Sequence, residues 1–547
     1  MEQSATSSAD NPGVRLPAPD VSGLVTTAEQ EVPDRRAVVE SEGRSLTWAQ
    51  LEDEVSRIAT GLGEHGVLAG HRVMIVLGNR LEFVTTYLGV LRAQAVAVPV
   101  NPRSTGPELA RLLADSGSRL VVADDASLAA VREGVVRLRA AIDGEETDLE
   151  PDLVERAVLP RVVALDAHAA DGEVDFAALR AEVAVPVPPL PDPERLAALL
   201  FTAGTSGRPR AAMLSHRALL ANIEQVASVE PPMMHGDDVV LGALPLFHVY
   251  GLNAVLGGVL RHRARLVLVE KWDPQAVLDL IEDEAFSVVP VAPPVFAHWL
   301  PDESLAERLG PVRMVLSGSA SLAPEVAEEF VAKTSIPVHQ GYGLTEAAPV
   351  VTSTMCSEHV QPGSVGAALP GIELRLSDET YEITDNEDPG QIWIKGPNLF
   401  SGYWPDGADG PGEDGWWATG DVGFLDPGGD LYLVDRVKDL VIVSGFNVYP
   451  SEVEDVLREV DGVSGAAVIG VPDPETGEAV VAYVTAPGAD TVVVEDAVRR
   501  HVATHLARFK QPSRVEVVDT LPRTVTGRVQ KGRLRGIERR RHLGLLE

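Results

Sequence analysis

Residues 201–210, FTAGTSGRPR, combine the four things a phosphate cradle requires. Thr202, Thr205 and Ser206 offer hydroxyl donors, Gly204 and Gly207 let a ligand approach backbone N–H groups, and Arg210 supplies fixed positive charge. The G-x-x-x-x-G-K-[ST] loop of P-loop NTPases is absent, because no Lys-Ser or Lys-Thr pair follows either glycine at the required offset. Taken alone, the ten residues read equally as a phosphate site or as a Gly/Ser surface turn.

Other chemistry-bearing stretches follow in order: LPLFHVYG (244–251), LSGSASL (316–322), QGYGLTE (340–346), ATGD (418–421), DRVKDLVIVSGFNVYPSEVE (435–454) and LPRTVTGRVQK (521–531). The elements that must position them alternate. From Thr47, TWAQLEDEVSRIATGLGEHG has apolar residues at helical spacing and ends at glycine. RVMIVLG, AVAVPV, SRLVVAD, ARLVLVE, FSVVPVA and VRMVLSG are short apolar runs bounded by turn residues, and helix-like stretches follow most of them. This predicts an α/β fold of doubly wound layers. Residues 125–195, ending in VPVPPLPDP, are expected to form a variable surface excursion before a Leu196–Phe201 strand. After Asp435 the texture shifts to a smaller α+β unit, giving domains at 1–434, with a disordered tail over about 1–15, and at 435–547.

Composition narrows the function. With 46 basic and 81 acidic side chains, the net charge is −35, a field that repels nucleic acid and anionic lipid. The single cysteine, Cys356, excludes an intramolecular disulfide and a thiol metal cluster. The polar amino terminus lacks a signal-peptide pattern and no long apolar run follows, so a cytoplasmic protein is expected. The basic end, GRLRGIERRRHLGLLE, reads as a solvated terminal helix, with peripheral membrane or CoA-phosphate contact as the rival.

Together and in this order, the seven stretches resemble the adenylate-forming superfamily, and SGFNVYPSEVE and GYGLTE are most similar to its fatty-acyl-CoA ligase branch. The resemblance implies a large amino-terminal domain with a small β-barrel-like subdomain and a mobile carboxyl-terminal domain. It also implies a reaction: a carboxylate attacks the α-phosphate of ATP, pyrophosphate leaves, and the thiol of CoA takes the acyl group. The partners would be a small-molecule carboxylic acid, ATP and CoA, with Mg²⁺ as metal and an oligomer allowed. The roles it implies are phosphate donors in Thr202, Thr205, Ser206, Gly204 and Gly207, with Arg210 as charge; Glu346 as Mg²⁺ ligand; Thr345 on the α-phosphate; and Tyr342, flanked by Gly341 and Gly343, on adenine. Ser317, Gly318 and Ser319 would line the nucleotide, and Asp421 and Arg436 would clasp the ribose. His248 would stand between the acyl pocket and the thiol tunnel, Asp435 would be the hinge, and Gly445 and Phe446 would face the site in the second step. No aspartate motif for a substrate ammonium accompanies His248, which disfavours an α-amino acid.

Two positions depart from the family pattern: Arg528 and Arg210 stand where lysines are usual. Both keep charge but not geometry, since a guanidinium is a planar fork and an ammonium a compact point donor. Three readings remain: Arg528 serves directly, Lys531 substitutes after a loop shift, or adenylation is lost and the protein is a partial enzyme or an acyl or nucleotide binder. Loading of a carrier protein in place of CoA is a further alternative.

Overall fold

A computed structural model describes residues 16, 18–145, 147, 149–166, 169–190, 192–203, 209–320, 322–377, 389–436, 439, 441–443, 446–473, 476–506, 508–524 and 527–542. Two large sheets form the body. In the nine-stranded sheet, Met314–Ser317, Val288–Val291, Val239–Gly242, Arg265–Leu268 and Arg36–Glu40 run parallel through its centre. The seven-stranded sheet centres on Leu120–Ala123, Arg72–Val76, Val96–Pro99 and Leu196–Ala203, also parallel. Strands such as Val288–Val291 and Leu120–Ala123 are buried at every position, which is why they read as continuous apolar runs.

Helices are started by local capping. Thr47 forms a capping box with Gln50 at the head of Trp48–Glu64, and Ser215 caps His216–Ala227. Their apolar faces join one core containing Trp48, Phe83, Leu219, Leu252 and Val288. The same core takes in Leu376, Ile392 and Leu431 from a four-stranded antiparallel sheet spanning Glu373–Ser377, Gly390–Lys395, Trp417–Leu425 and Leu431–Arg436. The small subdomain is thus held against the large layers by shared apolar burial.

The 125–195 region differs from the expected surface excursion. Asp125–Ile142 is a helix capped by Asp124, and Arg161–Ala164 and Val174–Asp175 extend the seven-stranded sheet at its edge. Leu128, Val131 and Leu138 are buried in a core, while the Pro-rich end and the 142–145 turn are largely exposed.

The carboxyl-terminal portion has its own sheet. Gly465–Asp473 and Gly477–Thr485 pair antiparallel, Arg514–Val517 joins in parallel, and Pro450–Arg458 and Thr491–His505 pack Val453, Leu457, Val498 and Val502 against it. The terminal helix Lys531–His542 buries Leu534 and pairs Arg535 with Asp439 at 2.7 Å and Arg541 with Glu538 at 3.0 Å. Arg535 and Arg541 are therefore tied within this portion. Lys531 meets Glu454 at 2.9 Å, with side chains only 14% and 10% exposed. Burial raises the Glu454 pKa against the opposing pull of Lys531.

Removing one partner of that pair leaves an uncompensated buried charge. Lys531→Ala is expected to cost about 3–5 kcal/mol in chemical denaturation. The paired change Lys531→Met with Glu454→Gln is expected to recover most of the loss.

Candidate active site

The strand Leu196–Ala203 folds back antiparallel onto Pro209–Ser215, with Thr202 opposite Arg210. The phosphate-loop candidate is thus a hairpin connection. Gly204, Thr205, Ser206 and Gly207 lie outside the described residues. Thr202 and Arg210 line one cavity of about 640 Å³, whose wall also includes Ser317, Gly318, Ser319, Gly341, Tyr342, Gly343, Thr345, Glu346, His248, Asp421 and Arg528. Residues more than 300 positions apart in the chain are therefore brought to one space by the strand ends of both large sheets, the small sheet and the 521–531 stretch. Arg436 lies directly opposite Asp421 on the neighbouring strand, and Asp435 opposite Val422. The side chains of Asp435, Arg436 and Phe446, and all of Gly445 and Ser321, lie outside the described residues.

The glycines are required by close approach. A Cβ on Gly341 would sit 2.7 Å from the Thr352 carbonyl oxygen, one on Gly343 2.3 Å from that of Pro349, and one on Gly318 2.8 Å from the Tyr250 ring. The first two let Val338–Gly343 lie against Val350–Ser353, and the third lets Tyr250 press on the strand-end turn.

Two acidic side chains are fixed by phenols. The Tyr342 hydroxyl donates to Asp421 Oδ2 at 2.7 Å, and Asp421 N–H donates to Thr419 Oγ1 at 3.1 Å. The Tyr403 hydroxyl donates to Glu346 Oε1 at 2.7 Å, leaving Oε2 with no protein partner among the described residues. Glu346 is 8% and Asp421 6% exposed, so both carboxylates are largely withdrawn from water. Burial, then the charge of Glu346, pushes the Tyr403 phenol well above its ordinary value. The Arg210 guanidinium lies 3.8 Å from the Tyr403 ring centroid and 2.7 Å from Asp409. Arg210, Tyr403 and Glu346 thus form one chain of contacts running from the hairpin to the carboxylate.

Among the described residues the buried hydroxyl oxygens of Ser317 and Ser319 have no hydrogen-bond partner, and Ser319 holds a φ of 73°. Unpaired buried polar atoms beside positive-φ backbone are what a polar ligand would satisfy.

The cavity wall also carries an apolar set, Ile223, Val226, Met233, Met234, Val255 and Gly258, together with His248 and His262. His248 Nδ1 accepts from Tyr250 N–H at 3.3 Å, and burial lowers its pKa, so the ring is neutral near pH 7. Burial, reinforced by Arg261 and Arg263, brings His262 down to about 4. Between the two histidines in the chain runs the π-helix Tyr250–Gly257, which contributes Tyr250, Asn253, Ala254 and Val255 to the wall; such irregularities frequently mark functional sites.

Three groups escaped the sequence reading. Tyr403 and Asp409 sit beyond the quoted motifs, and their only trace is the aromatic pair Tyr403-Trp404 in NLFSGYWPDGAD. Asn253 lies in an apolar run that reads as helix packing, yet its Nδ2 donates to Leu219 O at 3.0 Å and to Ala348 O at 2.6 Å. Lys531, a possible stand-in for the usual lysine, is not in the cavity wall.

A family profile described as AMP-binding enzyme matches residues 25–404, and one described as AMP-binding enzyme C-terminal domain matches residues 452–528. The long-chain-fatty-acid–CoA ligase of Bacillus subtilis is 31% identical over 544 residues, covering 96% of each chain. The 4-coumarate–CoA ligase 5 of Oryza sativa subsp. japonica is 32% identical over 515 residues, covering 92% of this chain and 91% of its own. The crystal structure of ATP-bound MatB from Rhodopseudomonas palustris matches with a TM-score of 0.81 at 31% identity, covering 94% of this chain and 98% of its own. The chain belongs to the AMP-binding, adenylate-forming enzyme family, alongside its acyl- and aryl-CoA ligases. Among the described residues no helix is long and apolar enough to cross a membrane.

The lowered His262 pKa ties stability to pH. Above the unfolded value of about 6.5 both states are neutral and the contribution is fully present; as pH falls toward about 4, the unfolded chain takes the proton and stability is lost. His262→Phe is expected to flatten the fall in denaturation free energy between those values. An unchanged slope would assign the acid sensitivity elsewhere.

Proposed function

We propose that the chain is an ATP-dependent acid–CoA ligase that activates a fatty carboxylic acid through an acyl-adenylate. The observation that carries this reading is one cavity whose wall combines the polar Thr202, Arg210, Glu346, Asp421 and Arg528 with the apolar Ile223, Val226, Met233, Met234 and Val255, which we assign to an acyl limb beside His248. Nucleotide and acid would then meet end to end. Ile223, Met233, Met234 and Val255 give the limb a flexible aliphatic wall, which supports an alkyl chain over a flat aromatic acid.

In this reading Asp421, with Arg436 opposite, takes the ribose hydroxyls, and Tyr342 lies by adenine. The Ser317–Ser319 hydroxyls and the 202–210 hairpin take phosphate oxygens. Glu346 Oε2 is a hard oxygen ligand suited to Mg²⁺, which binds through few carboxylates plus substrate phosphates. When bound, Mg²⁺ neutralises charge on the phosphates. Thr345 and Arg528 face the α-phosphate, where attack of one anion on another requires preorganised positive charge. His248, neutral and apolar-flanked, separates acid from thiol without placing charge beside the chain.

The proposed two-domain motion, with Asp435 as pivot and Gly445–Phe446 facing the site in the thioester step, has a specific contact to break. Gly527 holds a φ of +84°, and a Cβ there would meet Pro294 Cγ at 2.4 Å. This is where the 521–531 stretch seats on the amino-terminal body. One observation favours a second reading, an adenylation-impaired protein: Arg210 is engaged by Asp409 and Tyr403, so part of its charge is already compensated.

Purified protein with ATP, Mg²⁺ and a panel of fatty and aryl acids, with CoA or a pantetheinyl carrier protein as acceptor, tests these readings by pyrophosphate release and thioester formation. Acid-dependent pyrophosphate release, strongest with fatty acids and yielding acyl-CoA, is expected. Thioester formation only from supplied acyl-adenylate would establish the second reading. Arg528→Ala is expected to slow adenylation about 10²–10³-fold. Gly527→Ala is expected to impair adenylation while sparing thioester formation from supplied adenylate, and equal loss of both would count against the seated contact.

A further inference from the structure

Away from the cavity, the carboxyl-terminal portion brings two imidazoles and a carboxylate together. His501 and His505 lie four residues apart in the last turns of Thr491–His505, on one face of the helix. Their rings stack with centroids 4.0 Å apart at 26°. Glu459 is the residue that ends Pro450–Arg458, and its Oε2 lies 3.0 Å from His501 Nε2. One ligand atom from each of the three residues lies within 4.8 Å of the others.

We propose that Glu459, His501 and His505 form a binding site for a divalent transition-metal cation of the Zn²⁺ type, which joins the carboxyl ends of two helices. Three lines of chemistry support it. Two imidazoles and one carboxylate are a donor set that suits Zn²⁺ and its neighbours, and three protein ligands leave a fourth position for water. The orientation is partly built: His505 Nδ1 lies 2.8 Å from the His501 carbonyl oxygen and 2.9 Å from Thr504 Oγ1. A ring whose Nδ1–H donates to a carbonyl keeps its Nε2 lone pair for metal, the arrangement that outer-shell partners impose on ligating histidines.

The third line is the field. Both helices end here, Pro450–Arg458 at Glu459 and Thr491–His505 at its own last residue, so two negative dipole ends converge on the cluster. The arginine next to Glu459, Arg458, is drawn off to Asp455 and to Glu454 at 3.6 Å. The helices pack through Val453, Leu457, Val498 and Val502 beneath, so their ends are already close before any cation binds. Glu459 and His505 are exposed, which gives an ion a direct path from solvent.

None of the three residues is in the wall of the cavity, so binding is separable from the ligase reading. The test is titration of Zn²⁺ into metal-free full-length protein by calorimetry, repeated with Co²⁺ followed by visible absorption. One Zn²⁺ per chain at this site is expected, with a rise in Tm by mass action and Co²⁺ bands of low coordination number. His501→Ala and His505→Ala are each expected to weaken that binding at least about tenfold, with Glu459→Gln also weakening it. The variants' Tm without metal and their pyrophosphate release without Zn²⁺ should match the unsubstituted protein. Unchanged Zn²⁺ affinity and stoichiometry in the His501→Ala, His505→Ala double variant would overturn the proposal, as would no saturable binding by the unsubstituted protein at millimolar Zn²⁺.

Discussion

Everything in the cavity depends on a turn that cannot hold its own shape. Thr345–Ala347 is a single short helical turn followed by Ala348 in the left-handed region at φ 62°, a conformation disfavoured for a residue with a Cβ. It is pinned from outside. Phe400 N–H donates to the Glu346 carbonyl at 2.9 Å, Asn398 Nδ2 to Ala347 O at 2.7 Å, and Asn253 Nδ2 to Ala348 O at 2.6 Å. The Tyr403 hydroxyl holds the Glu346 carboxylate itself. Two distant parts of the chain, the 398–403 segment and Asn253, thereby fix one carboxylate, and strain in the backbone is offset by bonds made elsewhere.

That pinning explains why the layers must share a core. Asn253 comes from the π-helix against the large sheets, while Asn398, Phe400 and Tyr403 come from the segment between two strands of the small sheet. Were the small sheet free to slide, Glu346 and Asp421 would drift from Thr202 and Arg210. The common apolar cluster, with Phe400, Trp417, Leu376 and Leu252 in it, removes that freedom. Edge-to-face contacts of Phe400 with Tyr403 and Trp417, each at 5.0 Å, carry the rigidity up to the cavity rim.

Much of this was legible in the sequence. The doubly wound layers were visible because parallel strands buried on both faces leave continuous apolar runs, as in SRLVVAD and FSVVPVA. The residues that line the polar groove were visible because glycine-rich motifs mark backbone that must come close to something. Gly341 and Gly343 show the limit of that inference, since what they approach is the neighbouring strand at Thr352 and Pro349. Tyr403, Asp409 and Asn253 were invisible for a different reason. Their partners, Glu346, Arg210 and Ala348, are 57, 199 and 95 positions away, and no local spacing encodes a contact of that range. The 125–195 stretch misled because alanine, valine and proline make both a loose surface loop and a short edge strand, and only pairing with the Leu120–Ala123 strand separates the two.

The central claim is that a nucleotide groove and an apolar limb form one continuous space, so that adenosine and acyl chain bind as a single ligand. The most direct measurement is calorimetric binding of a non-hydrolysable fatty acyl-sulfamoyl-adenosine. One molecule per chain, displacing both ATP and free fatty acid and binding far more tightly than either, is the predicted result. Independent, simultaneous binding of adenosine nucleotide and fatty acid, with no gain in affinity from joining them, would contradict the account.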